Sequence, residues 1–134
     1  MYLNISTIDK TIDLRLFDLE GVLADQILWV TNINHSMELL PRIEELLVKN
    51  NLSKQDIKAV LIARGPGSYT GLRVGITADN LLALALNIPI AGVEKEMPKA
   101  MSQKLIDSLV RQKTFAAPVF PLYANEPNIT KRKN

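Results

Sequence analysis

The first thirty residues alternate between apolar and polar positions. In Thr11–Phe17, Ile12, Leu14 and Leu16 take every second place, with Thr11, Asp13 and Arg15 between them, which is the period of a strand with one buried face. Tyr2–Thr7 before it and Val22–Val30 after it, the latter carrying the single Trp, are further strand candidates. Asp9-Lys10 and Asp18-Leu19-Glu20-Gly21 supply tight turns between them, so the three strands are expected to form an antiparallel meander. The period then lengthens. Leu39, Leu40, Ile43, Leu46 and Leu47 recur at intervals of three and four, opposite Glu38, Arg42, Glu45 and Lys49, which predicts an amphipathic helix over about Ser36–Asn50. Pro41 falls inside this pattern, so the regular helix starts near it or is kinked in its first turns. Asn50-Asn51 suits the helix end, and Ser53-Lys54-Gln55-Asp56 reads as a capping box for one short turn.

Lys58–Arg64 is a short β-branched and apolar run, the pattern of a buried strand. It empties into Gly65-Pro66-Gly67-Ser68-Tyr69-Thr70-Gly71, and the following residues form a helix to about Leu86. Ile88–Val93 is the next strand candidate, and Met97–Lys113 is expected to be helical, with Met101, Leu105, Ile106 and Leu109 on one side. From Phe115 onward Pro118, Pro121 and Pro127 favour extended, irregular chain. The element order is βββαβαβ. Strands that follow helices run parallel to their neighbours through right-handed crossovers, so the expected fold is α/β: a mixed five-stranded sheet with helices on its faces. That is the ribonuclease-H-like architecture of the actin-like ATPase superfamily. Topology of this kind does not name a function.

Composition narrows the class. The 134 residues are 47% hydrophobic and 22% charged, with seven Pro and six Gly, which is globular rather than disordered. A net charge of +2 implies no polyanion partner by itself. Its distribution is uneven: residues 1–94 hold eight Lys+Arg against eleven Asp+Glu, residues 95–134 eight against three, ending in Lys131, Arg132 and Lys133. Such an end is read as a solvated basic tail, with nucleic-acid contact as the alternative. Cysteine is absent, which removes disulfides, thiolate metal sites and thiol nucleophiles and suits a reducing compartment. Met1-Tyr2-Leu3-Asn4 does not begin a signal peptide, and the apolar run Leu81–Leu86 is far short of a bilayer span. A soluble cytoplasmic protein without a membrane partner is expected.

Candidate chemistry is sparse. The segment GPGSYTGLRVG, Gly65–Gly75, could cradle phosphate at a helix N-terminus, or could be a tight turn whose glycines permit close backbone approach. Its spacing fits neither the dinucleotide fingerprint nor the Walker loop, and Arg73 is its nearest cation. His35 is the single histidine, so a paired-His metal site cannot be built. Ser68 and Thr70 beside a helix start read as caps, and Asp9, Asp13, Asp18 and Asp25 as solvated carboxylates. Asn4 stands on the first strand where metal-assisted chemistry would want an acid. No catalytic, metal or cofactor residue is therefore assigned. The helix after the glycine loop is apolar nearly all round, with Gly71, Gly75, Ala78 and Ala85 on one face, so it needs a second cover: the Met97–Lys113 helix or another chain.

The segment GPGSYTGLRVGITADNLLALALNIPIAGV closely resembles the signature of the TsaB (YeaZ) family. His35-Ser36-Met37-Glu38-Leu39-Leu40-Pro41 is similar to the family's H-S-E-x-L-L-P stretch, and Pro121-Leu122-Tyr123 with Pro127 to its P-x-Y-x-R-x-P tail. The resemblance implies an accessory protein without catalysis of its own, which pairs with the catalytic subunit TsaD and the ATPase TsaE to form threonylcarbamoyladenosine at position 37 of tRNA. It also implies that the TsaD contact is a helix bundle, here Ser36–Asn50 with Gly71–Leu86. On this basis the partner interface is expected at Leu39, Ile43, Leu46, Leu72, Val74, Gly75, Ala78 and Leu82, and the isolated chain is expected to dimerise through the same helices. Gly65, Pro66, Gly67, Ser68, Tyr69, Thr70, Gly71 and Arg73 are expected to form a structural loop.

The family pattern is not matched throughout. Asn4 replaces its usual Asp, Asp79-Asn80 a small or basic pair, and Asn125 the tail Arg. Its second domain has only a short counterpart here. The expected organisation is a ribonuclease-H-like unit over 1–94, a helical substitute over 95–117 and an extended basic tail over 118–134. Docking of a TsaE-like ATPase is the expectation most exposed to that change. The missing H-x-x-x-H motif argues against transferring the family's peptidase label. The competing functions are a nucleotide-binding enzyme of the actin and sugar-kinase superfamily, and an RNA-binding module using the basic tail. In either reading of the tail, tRNA is met indirectly, through the complex, or by the tail itself.

Overall fold

A five-stranded mixed sheet organises the chain. The computed structural model describes residues 1–8, 10–30, 35–66, 69–93 and 100–122, with the side chains of 35–37 and 69–71 outside that description. Strands β1 (Tyr2–Ser6), β2 (Thr11–Phe17) and β3 (Leu23–Val30) precede helix α1 (His35–Lys49). A 3₁₀ turn (Lys54–Asp56), β4 (Ala59–Ala63), α2 (Tyr69–Leu86), β5 (Ile90–Val93) and α3 (Gln103–Gln112) complete it. The strand order is β3-β2-β1-β4-β5. The first three strands pair antiparallel; β4 and β5 run parallel to their neighbours, as strands entered through helical crossovers should. The βββαβαβ order and the α/β class expected from the pattern are those of the molecule.

The period of two in β1 and β2 divides the core. Leu3, Ile5, Ile12, Leu14 and Leu16 face α1 and α2, where Leu39, Ile43, Leu46, Leu47, Leu72, Ile76 and Ala83 meet them. Tyr2 and Phe17 face the other way with Ala59 and Leu61, against Met101, Ile106 and Leu109. Strand β4 is buried at all five positions, which is why its sequence is apolar without alternation. Helix α3 therefore seats on the same sheet, on the face opposite α1 and α2. The open choice of a second cover for α2 is settled against α3, since the two helices lie on opposite sides of the sheet.

Element ends follow local chemistry. Asn51 (φ 58°) and Asn87 (φ 52°) take left-handed geometry after α1 and α2. Leu52 N donates to Leu47 O at 2.8 Å and Ile88 N to Ala83 O at 3.0 Å, closing the last turns. The second of these bonds occupies Ile88, so β5 begins at Ile90 rather than at Ile88. Helix α3 starts at Gln103, later than the pattern suggested. Ser102 is extended and its Oγ accepts from Leu105 N at 3.2 Å, while Met101 N donates to Gly21 O at 3.0 Å and Ala100 bridges Val22. Residues 97–99 of the expected helix lie outside the described residues. Pro41 is carried inside α1 with its ring in solvent.

Candidate functional site

The docking face expected on α1 and α2 can be located residue by residue. Leu39, Ile43, Leu46 and Leu72 are at most 2% exposed, and Gly75 is buried as well. These five point into the chain's own core, so a partner could not touch them without opening it. Gly75 is there for an internal reason: a Cβ on it would come within 2.6 Å of Thr7 Cβ and Cγ2, so its absence lets α2 cross close over the end of β1. Val74, Ala78 and Leu82 are half-buried. The accessible apolar surface lies one position round the helices, at Leu40 (49% exposed), Leu81 (60%) and Leu84 (54%). Leu40, Ala78, Leu81, Leu82, Ala85 and Leu86 line an open groove of ≈ 510 Å³ between α1 and α2, with Lys54 at its rim. Over Tyr69–Leu86 the only charged residues are Arg73 and Asp79, so this groove is almost purely apolar.

The glycine loop is described in part. Gly65 is buried with φ 112°, a conformation that suits glycine, and Pro66 is exposed. Leu72 packs in the core and Arg73 is exposed at the start of α2. Gly67 and Ser68, and the side chains of Tyr69, Thr70 and Gly71, lie outside the described residues, as do Asp9, the His35 side chain and residues 123–134 with Asn125 and the terminal Lys131-Arg132-Lys133.

A family model described as "TsaD: tRNA N6-adenosine threonylcarbamoyltransferase" matches residues 29–112. The Bacillus subtilis (strain 168) protein named "tRNA threonylcarbamoyladenosine biosynthesis protein TsaB" is 34% identical over 108 residues, which are 81% of this chain and 47% of that protein. A Christiangramia forsetii protein named "tRNA N6-adenosine threonylcarbamoyltransferase" is 30% identical over 90 residues, 67% of this chain and 25% of that one. The solved structure titled "YeaZ from Pseudomonas aeruginosa" matches at TM-score 0.62 and 29% identity, over 70% of this chain and 44% of that one. The chain belongs to the TsaB (YeaZ) family. It spans about half the length, or less, of the relatives it matches. A ribonuclease-H-like, actin-like fold goes with that membership.

Against the TsaB frame, the carboxylates do not converge. Asp13 pairs with Arg15 at 3.0 Å and accepts from Gln26 Nε2 at 3.0 Å. Asp18 accepts from the backbone N–H groups of Glu20 and Val22 at 3.0 and 2.9 Å, shaping the β2–β3 turn with Gly21. Asp25 accepts from Asn50 Nδ2 at 2.9 Å and meets Lys49 at 3.3 Å, tying β3 to the end of α1; the Asn50 bond, above all, holds its carboxyl below the ordinary range. These three are structural acceptors rather than merely solvated acids, a correction to the sequence expectation. Asp56 is the capping-box acid, accepting from Ser53 N at 2.8 Å. Among the described residues no group of three His, Cys, Asp or Glu could hold a metal ion.

Asn4 and Asp79, which the sequence marked only as departures from the family pattern, form with Thr7 a set of buried polar groups. Asn4, Thr7 and Asp79 are 0% exposed, and among the described residues their side-chain oxygens and the Asn4 amide nitrogen have no hydrogen-bond partner. Asn4 lies on the α3 side of the sheet, opposite Arg15 and Leu61 in register; Thr7 meets α2 at Gly75. Asp79 lies on the inward stripe of α2 with Leu72, Ile76 and Ala83, and burial pushes its carboxyl well above the usual range. The available signal for Asp79 was its spacing of three from Ile76 and four from Ala83, which puts it on the core face.

Proposed function

We propose that this chain is a non-catalytic scaffold subunit in the formation of N6-threonylcarbamoyladenosine at position 37 of tRNA, and that it docks a TsaD-type catalytic protein through the outer face of α1 and α2. The observation that carries this is the largely apolar groove of Leu40, Ala78, Leu81, Leu82, Ala85 and Leu86, with Lys54 as its charged lining residue. Burying the exposed part of Leu40, Leu81 and Leu84 would contribute about 1 kcal/mol each. The partner's class is supported by the names of the relatives, which are TsaB proteins and threonylcarbamoyltransferases. The absence of catalysis is supported by the dispersal of Asp13, Asp18 and Asp25 into structural contacts and by a neutral amide at Asn4. In isolation the same face is proposed to pair two copies, which the catalytic partner displaces. Docking of a TsaE-like ATPase belongs to the same reading.

The test is a binding titration between the purified chain and the TsaD-type protein of the same organism. Leu81→Asp places a charge in the dry part of the groove, while its 60% exposure leaves the fold free to form. An unpaired charge buried at an interface costs about 3 kcal/mol or more, so affinity should fall at least about a hundredfold. The circular dichroism spectrum should stay native. Undiminished binding by Leu81→Asp would remove this face from the reading. ATP turnover by the isolated chain would favour the nucleotide-binding alternative.

A further inference from the structure

A second, independent site is built where α2 passes over the sheet edge at β5. Residues 115–122 run back along α2 from Asn87, whose Oδ1 faces Phe115 N at 3.4 Å, to Arg64 at the end of β4. Near Arg64 the contacts turn from packing to main-chain hydrogen bonding. The Asn80 carboxamide engages both polar groups of one residue: its Oδ1 accepts from Val119 N at 2.8 Å, and its Nδ2 donates to Val119 O at 2.8 Å. Arg64 holds the next two turns of the path. Its Nε donates to Phe120 O at 2.9 Å, and its carbonyl accepts from Leu122 N at 2.8 Å.

Gly92 makes the floor. A Cβ there would lie within 2.6 Å of Arg64 Cγ and 3.1 Å from Val119 Cγ1, so only glycine lets the Arg64 stem lie flat across β5 and reach the segment. Pro118 and Pro121 have no N–H to leave unpaired, and Phe120 points its ring into solvent at 67% exposure. Four hydrogen bonds thus fall on the backbone of Val119–Leu122, and none on its side chains. This is recognition of extended main chain, with prolines limiting the loss of conformational freedom.

We propose that Arg64, Asn80 and Gly92 form a site that reads the main chain of an extended, proline-flanked apolar peptide, occupied in this structure by the chain's own residues 118–122. The site borders the α1–α2 groove at Leu81 but is built from other residues, and it does not depend on the function proposed for that groove. Asn80, which departs from the family's small or basic residue, is its central element. The short covalent path from α3 keeps the cis segment at an effective concentration in the millimolar range, so a free peptide competes only when the cis segment is weakened.

The experiment uses the full chain carrying Val119→Pro and Leu122→Pro, which removes both donated amides and leaves Arg64, Asn80 and Gly92 in place. A fluorescent synthetic peptide of residues 115–123 is titrated into it and into the unaltered chain. Saturable binding is expected to the altered chain and at least tenfold weaker binding to the unaltered one. Adding Asn80→Ala should weaken the peptide by roughly 30-fold, the factor two ordinary hydrogen bonds supply. No saturable binding to a natively folded altered chain, or binding indifferent to Asn80→Ala, would overturn the proposal. Amide exchange on the unaltered chain decides independently of folding in the proline variant. Val119 and Leu122 should exchange slowly and reach free-chain rates in Asn80→Ala; free-chain rates in the unaltered protein would also overturn it.

Discussion

Replacing Asp79 by Asn should remove a pH dependence from the stability of the whole fold. Asp79 is completely buried on the inward face of α2, and its two oxygens have no partner among the described residues, so ionising it inside costs desolvation without return. Burial therefore raises its folded-state pKa well above 3.8, while the unfolded chain titrates near that value. Between the two values the folded chain keeps a proton that the unfolded chain releases. Stability then falls as pH rises, by at most about 1.4 kcal/mol per pH unit, and levels off above the folded-state value. Asn has nearly the same shape and carries no charge at any pH. The two proteins should be similar in stability near pH ~4 and diverge above it, the Asp79→Asn protein being the more stable near neutrality.

The measurement is urea unfolding at a series of pH values from about 4 to about 7, followed by Trp29 fluorescence. Trp29 is half-buried, its Nε1 donates to Glu38 Oε1 at 3.3 Å, and the Arg42 guanidinium lies 5.2 Å from its ring centroid, so its environment changes on unfolding. Asp25 and Asp56 act in the opposite sense. Their lowered pKa values add stability that is present above their unfolded values and lost as pH falls through the folded ones. Both contribute equally to the two proteins and cancel in the difference. Parallel pH profiles for the two proteins would refute the assignment of a neutral buried carboxyl to Asp79.

Gly75→Ala should destabilise the fold by about 2 kcal/mol, because the new methyl overlaps Thr7 where α2 crosses β1; Thr7→Ala in the same chain should recover part of that loss, read as a coupling in a thermal-unfolding cycle. Asn50→Ala should let the Asp25 carboxyl rise toward its ordinary range, because it removes the first-ranking hydrogen bond that holds it down, which a carbon-detected NMR titration of Asp25 would read directly.

Periodicity made the architecture legible because each face of the sheet has its own cover. The alternation of Ile12, Leu14 and Leu16, and the unbroken apolar run of β4, state which strands are covered once and which twice. The proposed docking face was legible only to the helix, not to the side. Leu39, Ile43 and Leu46 mark the strongest apolar stripe of α1, and for that reason they are spent on the chain's own core. The surface proposed to face a partner is the weaker flank, Leu40 and Leu81, which a stripe count ranks second. Asn80 and Arg64 were less legible still, since their partners lie |i−j| = 39 and 56 residues away in a segment whose prolines suggested only irregular chain. A hydrogen bond between distant residues leaves no period in a sequence.

The placement of polar groups separates two properties that one helix could have coupled. Asp79 and the groove residues Ala78, Leu81 and Leu82 occupy the same turns of α2, yet the carboxyl faces the sheet while the groove faces out. Among the described residues, the titratable side chain lining the groove is Lys54, which is paired with Glu44 at 3.7 Å in an exposed contact of little energetic weight. Protonation of Asp79 therefore changes the stability of the fold without placing or removing a charge in the outward groove proposed for docking. Burial raises the Asp79 carboxyl on the inward stripe and leaves the outward lining of the groove as it is.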